Sequence, residues 1–272
     1  MNNSYIPKIT KVLKNEPLTP SVNLITLQAL YGFFMDKKLS FRPGQFILVT
    51  VFGFGEATFA LTLNPQNRKT IKIAVRNTGG VVSSILANLQ TGDTVGIRGP
   101  FGNSFLDFDL ENKDLIMVAG GTAIAPISAL VEYAINHLNH FNYVYLLYGA
   151  KSPEELVFQK YFLEWKKKIK LLTIVETKTA DWHGPSGFVT NLCKNLEFNP
   201  FKTKVVMCGP PPMLKPVIAE LKKSKLTDRQ ILVSLEARLR CGIGKCQHCT
   251  CGEKYVCLDG PVFEYGEVKN EI

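Results

Sequence analysis

The chain has 272 residues, of which 46% are hydrophobic and 20% are charged. This composition is typical of a folded globular protein and argues against a disordered or fibrous chain, and the length suits two domains, or one large domain with an appendage. The 32 basic and 23 acidic residues give a net charge of +9, which is compatible with several kinds of anionic partner and does not choose among them.

The amino-terminal residues contain no apolar run followed by a small-residue cleavage site, so no secretory signal is predicted and a cytoplasmic address is expected. The uncharged run 115–131 is interrupted by Gly120, Gly121 and Pro126. At about 17 residues it is also marginal for crossing a bilayer. No membrane span is therefore predicted.

The first hundred residues consist of short β-branched or apolar runs separated by turn sequences. The runs are 22–27, 46–51, 70–75 and 94–97, and the turns include 42–44, 91–93 and 99–102. This pattern predicts a small antiparallel β-barrel, which we assign to residues 1–108.

From residue 114 onward, apolar strands alternate with helices. Strands are predicted at 115–119, 143–148, 170–175 and 205–208, and helices at 127–138, 154–168 and 213–223. Such alternation predicts βαβ units on a parallel sheet. We assign this Rossmann-like α/β domain to residues 109–232.

Two strand ends in this domain carry nucleotide-binding signals. The first strand runs into Gly120-Gly121-Thr122, and Pro126 suits the first turn of the next helix, so backbone N–H groups would face a pyrophosphate. The last strand ends in Cys208-Gly209-Pro210 at the same predicted edge of the sheet. Cys208 is interpreted as a nicotinamide contact or a small buried residue, and not as a nucleophile.

Residues 233–272 form a Cys- and Gly-rich lobe that is too short to build its own core and is expected to fold around a metal. Five of the seven cysteines lie between Cys241 and Cys257 and open with the C-x4-C-x2-C spacing of plant-type iron–sulfur proteins. Five cysteines compete for four ligand positions. A zinc site built from the same thiols, with or without His248, remains the alternative.

The order of the motifs resembles that of the ferredoxin-NADP reductase superfamily over essentially the whole chain. The terminal lobe is similar to the branch that contains the B subunit of anaerobic sulfite reductase, the gamma subunit of cytoplasmic NiFe hydrogenases and the electron-transfer subunit of dihydroorotate dehydrogenase. The motifs that carry the resemblance are 42–46, 80–83, 99–102, 120–126, 208–213 and 257–263, together with the cysteine spacing.

The resemblance implies FAD between the barrel and the nucleotide domain, a nicotinamide dinucleotide on the second domain, and a 2Fe-2S cluster in the lobe. The implied cluster ligands are Cys241, Cys246, Cys249 and Cys257. Cys251 stands where the family has a non-ligand residue and is expected to be spare. The short interval between Cys249 and Cys257 favours the sulfite reductase and hydrogenase subunits over the dihydroorotate subunit.

The implied FAD contacts are Phe59, Ala60, Leu61, Thr62, Gly80, Val82 and Ser83. The flavin strand departs from the family pattern, because it lacks the arginine and has Ala60 in place of a hydroxyl residue. Thr62 lies on the same strand face as Ala60 and is expected to offer a polar contact instead. In the nucleotide domain, Ala123 replaces the usual third glycine, and Lys151 stands where NADP-using relatives often have arginine, which favours NADH slightly.

These features predict an NAD(P)H-dependent FAD and iron–sulfur oxidoreductase subunit. A nicotinamide transfers two electrons as a hydride and an iron–sulfur cluster takes one at a time, so a flavin is expected between them, and no side chain is expected to act as acid or base. A partner catalytic subunit or a ferredoxin-like protein is expected, because the chain has no second cluster pattern or haem motif. The alternatives are the dihydroorotate dehydrogenase role and a non-enzymatic, zinc-stabilised binding module. Nucleic-acid binding is not expected.

Overall fold

The computed structural model describes residues 3–29, 41–63, 69–194 and 196–272. Its first part is an antiparallel sheet, with α1 (Val81–Ala87) between the last two strands. The strands are β1 (Lys8–Thr19), β2 (Val22–Ala29), β3 (Phe46–Val51), β4 (Gly55–Ala60), β5 (Ile71–Arg76) and β6 (Thr94–Phe101). Their order is β4-β3-β6-β1-β2-β5, and the outer strands β4 and β5 also contact each other. The predicted antiparallel barrel is confirmed.

The barrel interior is filled by alternate residues of these strands. Aliphatic side chains such as Ile25, Ile47, Ile73 and Ile97 are fully buried in one cluster. The strand period of two sends their neighbours to the outer face. On β3, for example, Ile47 and Val49 point into the barrel, whereas Phe46 packs in the core of the nucleotide domain.

The strand β1 is absent from the sequence-based prediction, although it pairs with both β2 and β6. Its sequence, KITKVLKNEPLT, is rich in lysine and contains a proline, and only Thr10, Val12 and Thr19 are buried. A half-exposed strand with charged outer positions lacks the apolar run by which the other strands are recognised. Its hydrogen-bonding partners, and not its own hydrophobicity, make it a strand.

The second part is a parallel sheet with helices between its strands, as predicted. The strands are β7 (Lys113–Gly120), β8 (Phe141–Ala150), β9 (Lys170–Val175), β10 (Thr203–Cys208) and β11 (Ile231–Ser234). The helices are α2 (Ile124–Asn136), α3 (Gln159–Lys166), α4 (Thr190–Lys194) and α5 (Pro211–Lys222). The central strand β7 lies between β10 and β8, so the carboxyl ends of three strands meet at one edge of the sheet.

The cysteine-rich lobe contains β12 (Thr250–Cys251), β13 (Lys254–Tyr255), α6 (Val256–Asp259), β14 (Val262–Glu264) and α7 (Tyr265–Val268). Strand β14 joins the edge of the parallel sheet and runs antiparallel to β11. Buried lobe residues such as Val256 and Phe263 belong to the same hydrophobic cluster as Val205 and Leu214 of the nucleotide domain. The lobe thus shares the hydrophobic core of the nucleotide domain, in addition to any metal that it binds.

A buried polar network joins the barrel to α2. The hydroxyl of Thr62 donates to the carbonyl of Ala125 (2.9 Å) and bonds the hydroxyl of Ser128 (2.7 Å). The Ser128 oxygen also accepts the backbone N–H of Leu63 (3.0 Å). Because the chain leaves the flavin strand at this point, the network sets how the barrel meets the nucleotide domain.

Among the described residues, no helix is both long enough and apolar enough to cross a bilayer.

We expect Ser128→Ala to destabilise the protein by about 1–3 kcal/mol, because the buried N–H of Leu63 loses its acceptor. Urea unfolding followed by circular dichroism measures the change in free energy of unfolding. Ser224→Ala, at an exposed position after α5, is the matched control and should change that free energy by less than about 0.5 kcal/mol. Equal losses in the two variants would contradict the importance of the network.

Candidate functional site

The outer face of β3 and β4 points away from the barrel core. Thr58 pairs with Leu48 across the two strands, and Ala60 pairs with Phe46. Cross-strand partners share a face, so Thr58 and Ala60 lie on the side that meets the rest of the molecule. Phe59, between them, packs against the barrel core.

One hydroxyl on this face has no partner. The Oγ1 atom of Thr58 is buried, and no atom in the described part of the chain hydrogen-bonds to it. Buried polar groups in proteins are normally paired, and an orphan calls for a group supplied from elsewhere. A polar edge of a bound flavin fits this requirement, because Thr58 and Ala60 share the strand on which the sequence places the flavin.

The turn before α1 lies beside the same strand. Gly80 precedes α1, Gly79 has a φ of +78°, and a Cβ on Gly55 of β4 would lie 3.6 Å from the Val82 side chain. The Ser83 hydroxyl donates to the carbonyl of Gly80 (3.0 Å). The structure thus brings the exposed Gly80 and the half-buried α1 residues Val82 and Ser83 next to the flavin strand.

Leu61 and Thr62, the other two residues expected at the flavin, are placed differently. Leu61 is buried in the barrel core, and the Thr62 hydroxyl is fully occupied by the contacts with α2 described above. Thr58, which the sequence reasoning did not single out, offers the free hydroxyl. The signal was available, since Thr58 also shares the face of Ala60 by strand alternation.

The first glycine turn begins at the end of β7. Gly120 ends the strand, Gly121 has a φ of +54°, and Pro126 lies in the first turn of α2. Thr122 lies between them in a 3-10 turn. A residue with a side chain rarely adopts the φ of Gly121, so the backbone favours glycine at this position.

Tyr148 holds this turn from the neighbouring strand β8. Its hydroxyl donates to the carbonyl of Gly121 (3.1 Å) and accepts the backbone N–H of Val157 (2.9 Å). The side chain is fully buried, and burial raises the pKa of Tyr148. A neutral phenol can donate one hydrogen bond and accept another at the same time, so it can hold two backbone groups in place.

The second turn, at Gly209 and Pro210, lies beside the first because Ala119 pairs with Cys208 across β7 and β10. The Met213 side chain lies between the two turns. A Cβ on Gly120 would approach its sulfur to 2.3 Å, and a Cβ on Gly209 would approach its methyl carbon to 2.2 Å. Both glycines therefore allow the methionine to pack at the edge where a dinucleotide is expected.

Cys208 is fully buried between these turns, and desolvation raises the pKa of its thiol to about 12. A thiol of this kind stays protonated at neutral pH and is a poor nucleophile. The geometry agrees with the expectation that Cys208 is not a nucleophile.

The lobe's loop surrounds its first cysteine with backbone donors. The Sγ of Cys241 accepts N–H groups from Ile243 (3.5 Å), Lys245 (3.3 Å) and Cys246 (3.4 Å). Burial acts to raise the pKa of the Cys241 thiol, but these donors and the Cys246 side chain lower it to about 7. Such a cradle stabilises a thiolate, which is the form that binds metal.

Two further lobe cysteines, Cys249 and Cys257, also lie near each other. The N–H of Gly244 donates to the Sγ of Cys257 (3.1 Å), and the side chain of Cys249 lies close to the Cys257 thiol. Burial and the neighbouring Cys249 raise the pKa of Cys257 to about 12. Over the described residues, no three His, Cys, Asp or Glu side chains are gathered as ligands of a single ion. The thiols of Cys241 and Cys246 are neighbours, and the thiol of Cys257 lies near those of both Cys249 and Cys241.

The cysteine loop, which carries the five lobe cysteines over residues 241–257, packs against the barrel. Gly242 has a φ of +76°, and a Cβ there would lie 2.9 Å from the Phe101 ring and 3.0 Å from Leu48. Gly244 has a φ of +72° and is covered by Leu258. Two glycines are thus favoured by backbone angle and by close approach, and the loop meets the outer face of β3 next to Thr58.

Arg98 of β6 joins the same contact. Its guanidinium bonds Glu56 on β4 and the carbonyls of Arg240 and Cys241 in the lobe. The bonds to Arg98 lower the pKa of Glu56 in spite of partial burial. Sequence reasoning missed Arg98 and Tyr148, and the available signal was a charged or phenolic residue within an otherwise apolar strand.

Comparison with known families assigns a function to each of the three parts. The chain matches an oxidoreductase FAD-binding domain over residues 11–105 and an oxidoreductase NAD-binding domain over 117–218. Residues 236–269 match the iron–sulfur cluster binding domain of dihydroorotate dehydrogenase B. The expected FAD, nicotinamide and iron–sulfur domains are confirmed.

Relatives with the same architecture span the chain. It is 35% identical to sulfhydrogenase 2 subunit gamma of Pyrococcus furiosus over 97% of its own length and 96% of that protein. It is 36% identical to a probable dihydroorotate dehydrogenase B electron transfer subunit of Pyrococcus abyssi, over 88% and 85% of the two chains.

Among solved structures, an NADH-dependent reduced ferredoxin-NADP oxidoreductase has the same fold, with a TM-score of 0.74 at 21% identity over 100% of this chain and 94% of that one. The chain therefore belongs to the ferredoxin-NADP reductase superfamily, in the branch with a carboxyl-terminal iron–sulfur domain that includes sulfhydrogenase gamma subunits and the electron-transfer subunits of dihydroorotate dehydrogenase B.

Proposed function

We propose that this protein is the electron-transfer subunit of a heteromeric oxidoreductase. It passes electrons between NAD(P)H, FAD and a 2Fe-2S cluster, and to or from a partner catalytic subunit. Its three units are residues 1–108 for FAD, 109–232 for the nicotinamide dinucleotide and 233–272 for the cluster. The observation that carries the proposal is the direct contact of the cysteine loop, through Gly242, with the outer barrel face beside the flavin strand.

When bound, FAD exchanges a hydride with a nicotinamide and single electrons with an iron–sulfur cluster. The chain's own residues hold and order these groups. Cys241, Cys246, Cys249 and Cys257 bind the cluster, and the proximity of their thiols to one another supports this assignment. The backbone donors at Cys241 and Cys257 reduce the charge on the thiolates.

At the flavin, Ala60 of β4, Gly80 and the α1 residues Val82 and Ser83 form the site, and Thr58 supplies the free hydroxyl. The side chains of Phe59 and Leu61 face the barrel core and the Thr62 hydroxyl bonds α2, so these three expected contacts are not assigned to the flavin. At the nicotinamide dinucleotide, the two adjacent glycine turns provide backbone N–H groups and allow the dinucleotide to approach the backbone closely. The residues of these turns are Gly120, Gly121, Thr122, Pro126, Cys208, Gly209 and Pro210. No proton-transfer side chain is needed, because the protein acts by placing the redox groups.

The partner is a catalytic subunit such as that of a NiFe hydrogenase or a sulfite reductase. The full-length match to the sulfhydrogenase gamma subunit supports this choice, because it covers 97% of the chain. The dihydroorotate dehydrogenase role is the second candidate, supported by the 36% identity to a subunit of that enzyme over 88% of the chain.

Cofactor content tests the proposal directly. The protein, purified without oxygen, should contain about two irons, two sulfides and one FAD. Addition of NADH or NADPH, in separate samples, should produce the electron paramagnetic resonance signal of a reduced cluster, and the more effective donor identifies the nucleotide. Zinc without iron or flavin would overturn the proposal in favour of a binding module.

Two cysteine variants distinguish ligands from the spare thiol. Cys246→Ser should lose most of the iron and sulfide, because a cluster ligand is removed. Cys251→Ser is the matched control in the same loop and should retain about two irons and two sulfides. Loss of iron in Cys251→Ser with retention in Cys246→Ser would reverse the assignment.

Removal of the Tyr148 hydroxyl tests the first glycine turn. Tyr148→Phe leaves the Gly121 carbonyl and the Val157 N–H without their shared partner, so we expect the KM for NADH to rise by roughly tenfold. The kcat with ferricyanide as acceptor should change little, because the contact acts on nucleotide binding. Tyr145→Phe, earlier on the same strand, is the control. An unchanged KM in Tyr148→Phe would show that the turn does not need this contact.

A further inference from the structure

The guanidinium of Arg98 uses all of its hydrogen-bond donors inside the protein. Its Nε and one terminal nitrogen bond the two carboxylate oxygens of Glu56 at 2.9 and 2.6 Å. Its other bonds go to the carbonyls of Ser4 (3.1 Å), Cys241 (3.0 Å) and Arg240 (3.1 Å). An arginine offers five N–H donors, and each has an acceptor here.

This charge is buried at the junction of the barrel and the lobe. The Arg98 side chain is 4% exposed, whereas that of Glu56 is 28% exposed. Arg98 pairs with Leu48 across β6 and β3, and Leu48 lies against Gly242 of the cysteine loop. The rings of Tyr5 and Phe101 lie 6.0 Å from the guanidinium carbon. Water screens this positive charge much less than it screens its carboxylate partner.

The hydrogen bond to the Cys241 carbonyl brings the positive charge of Arg98 next to the backbone of a proposed cluster ligand. A cluster gains negative charge when it takes up an electron, and a fixed positive charge nearby stabilises that reduced form. Removal of the charge therefore makes reduction harder. Removal of the neighbouring negative charge makes reduction easier.

We propose that Arg98 is a positioning residue whose buried positive charge, balanced in part by Glu56, holds the Cys241 ligand in place and raises the reduction potential of the iron–sulfur centre. This inference rests on the proposed ligation of the cluster by Cys241. It assigns to the barrel a direct electrostatic influence on the centre in the lobe. The relevant contact joins residues that lie far apart in the sequence.

Midpoint potentials test the proposal, measured by redox titration of the reduced-cluster electron paramagnetic resonance signal in the full-length protein. Arg98→Gln should shift the potential to a more negative value, and Glu56→Gln should shift it to a less negative value. Arg98→Lys keeps the charge but has fewer donors, so its potential should lie between those of the wild type and Arg98→Gln. Glu16→Gln is the matched control, since Glu16 pairs with Lys14 and Lys160 beside α3, away from the lobe, and its potential should equal that of the wild type.

The opposite signs separate an electrostatic role from a structural one. Both glutamine variants break the same Arg98–Glu56 pair, so a loosened loop would shift both potentials in one direction, and that result would overturn the proposal. Unchanged potentials in variants with full iron and sulfide would also overturn it. If Arg98→Gln does not fold, Glu56→Gln decides alone, because a shift to a more negative potential or no shift contradicts the proposal. A wild-type protein without iron and sulfide would instead overturn the proposed function.

Discussion

The buried guanidinium of Arg98 is the interaction through which the barrel and the cysteine lobe become one site. A buried charge is tolerated only when its partners are in place, and its partners come from both units: Glu56 from β4 and two carbonyls from the lobe. Displacement of the lobe would leave donors of a buried cation unpaired. The requirement to satisfy this one group therefore holds the cysteine loop against the outer face of the barrel.

The same contact explains a glycine of the cysteine loop. Gly242 is pressed between the loop and the barrel residues Phe101 and Leu48, and its positive φ lets the loop turn there. The turn directs the N–H groups of Ile243 and Lys245 toward the sulfur of Cys241. Packing against the barrel and preparation of the cysteine cradle are thus two results of one backbone conformation.

The nucleotide domain is tied to the barrel by different chemistry. Thr62, Leu63 and Ser128 form a neutral buried network at the start of α2, and the adjacent glycine turn is held by Tyr148 from β8. Because α2 begins directly after that turn, the barrel contact and the dinucleotide turn are connected through one helix. The flavin strand therefore lies between a charged junction to the lobe and a neutral junction to the nucleotide domain.

Much of the architecture could be predicted from local patterns. The strands β3 and β9 have the bounds that their apolar runs indicate, and the order of strands and helices identifies the parallel sheet. Strand β1 could not be found in this way, because its charged outer positions hide the period of two. The role of Thr62 was also beyond reach, since strand alternation gives the face of a residue and not the atoms that the face meets.

By itself, the sequence determined the three-part organisation, the cysteine spacing and the two glycine turns, because these depend on residues close together in the chain. Only the tertiary structure decided which polar groups remain free and which charges are buried. Three features depend on neighbours that the fold brings together from distant segments. They are the unpaired hydroxyl of Thr58, the hydrogen bonds of the Tyr148 hydroxyl and the fully hydrogen-bonded guanidinium of Arg98. Hydrogen bonding and desolvation depend on distances in space. A sequence indicates such distances only between residues of the same turn or the same strand.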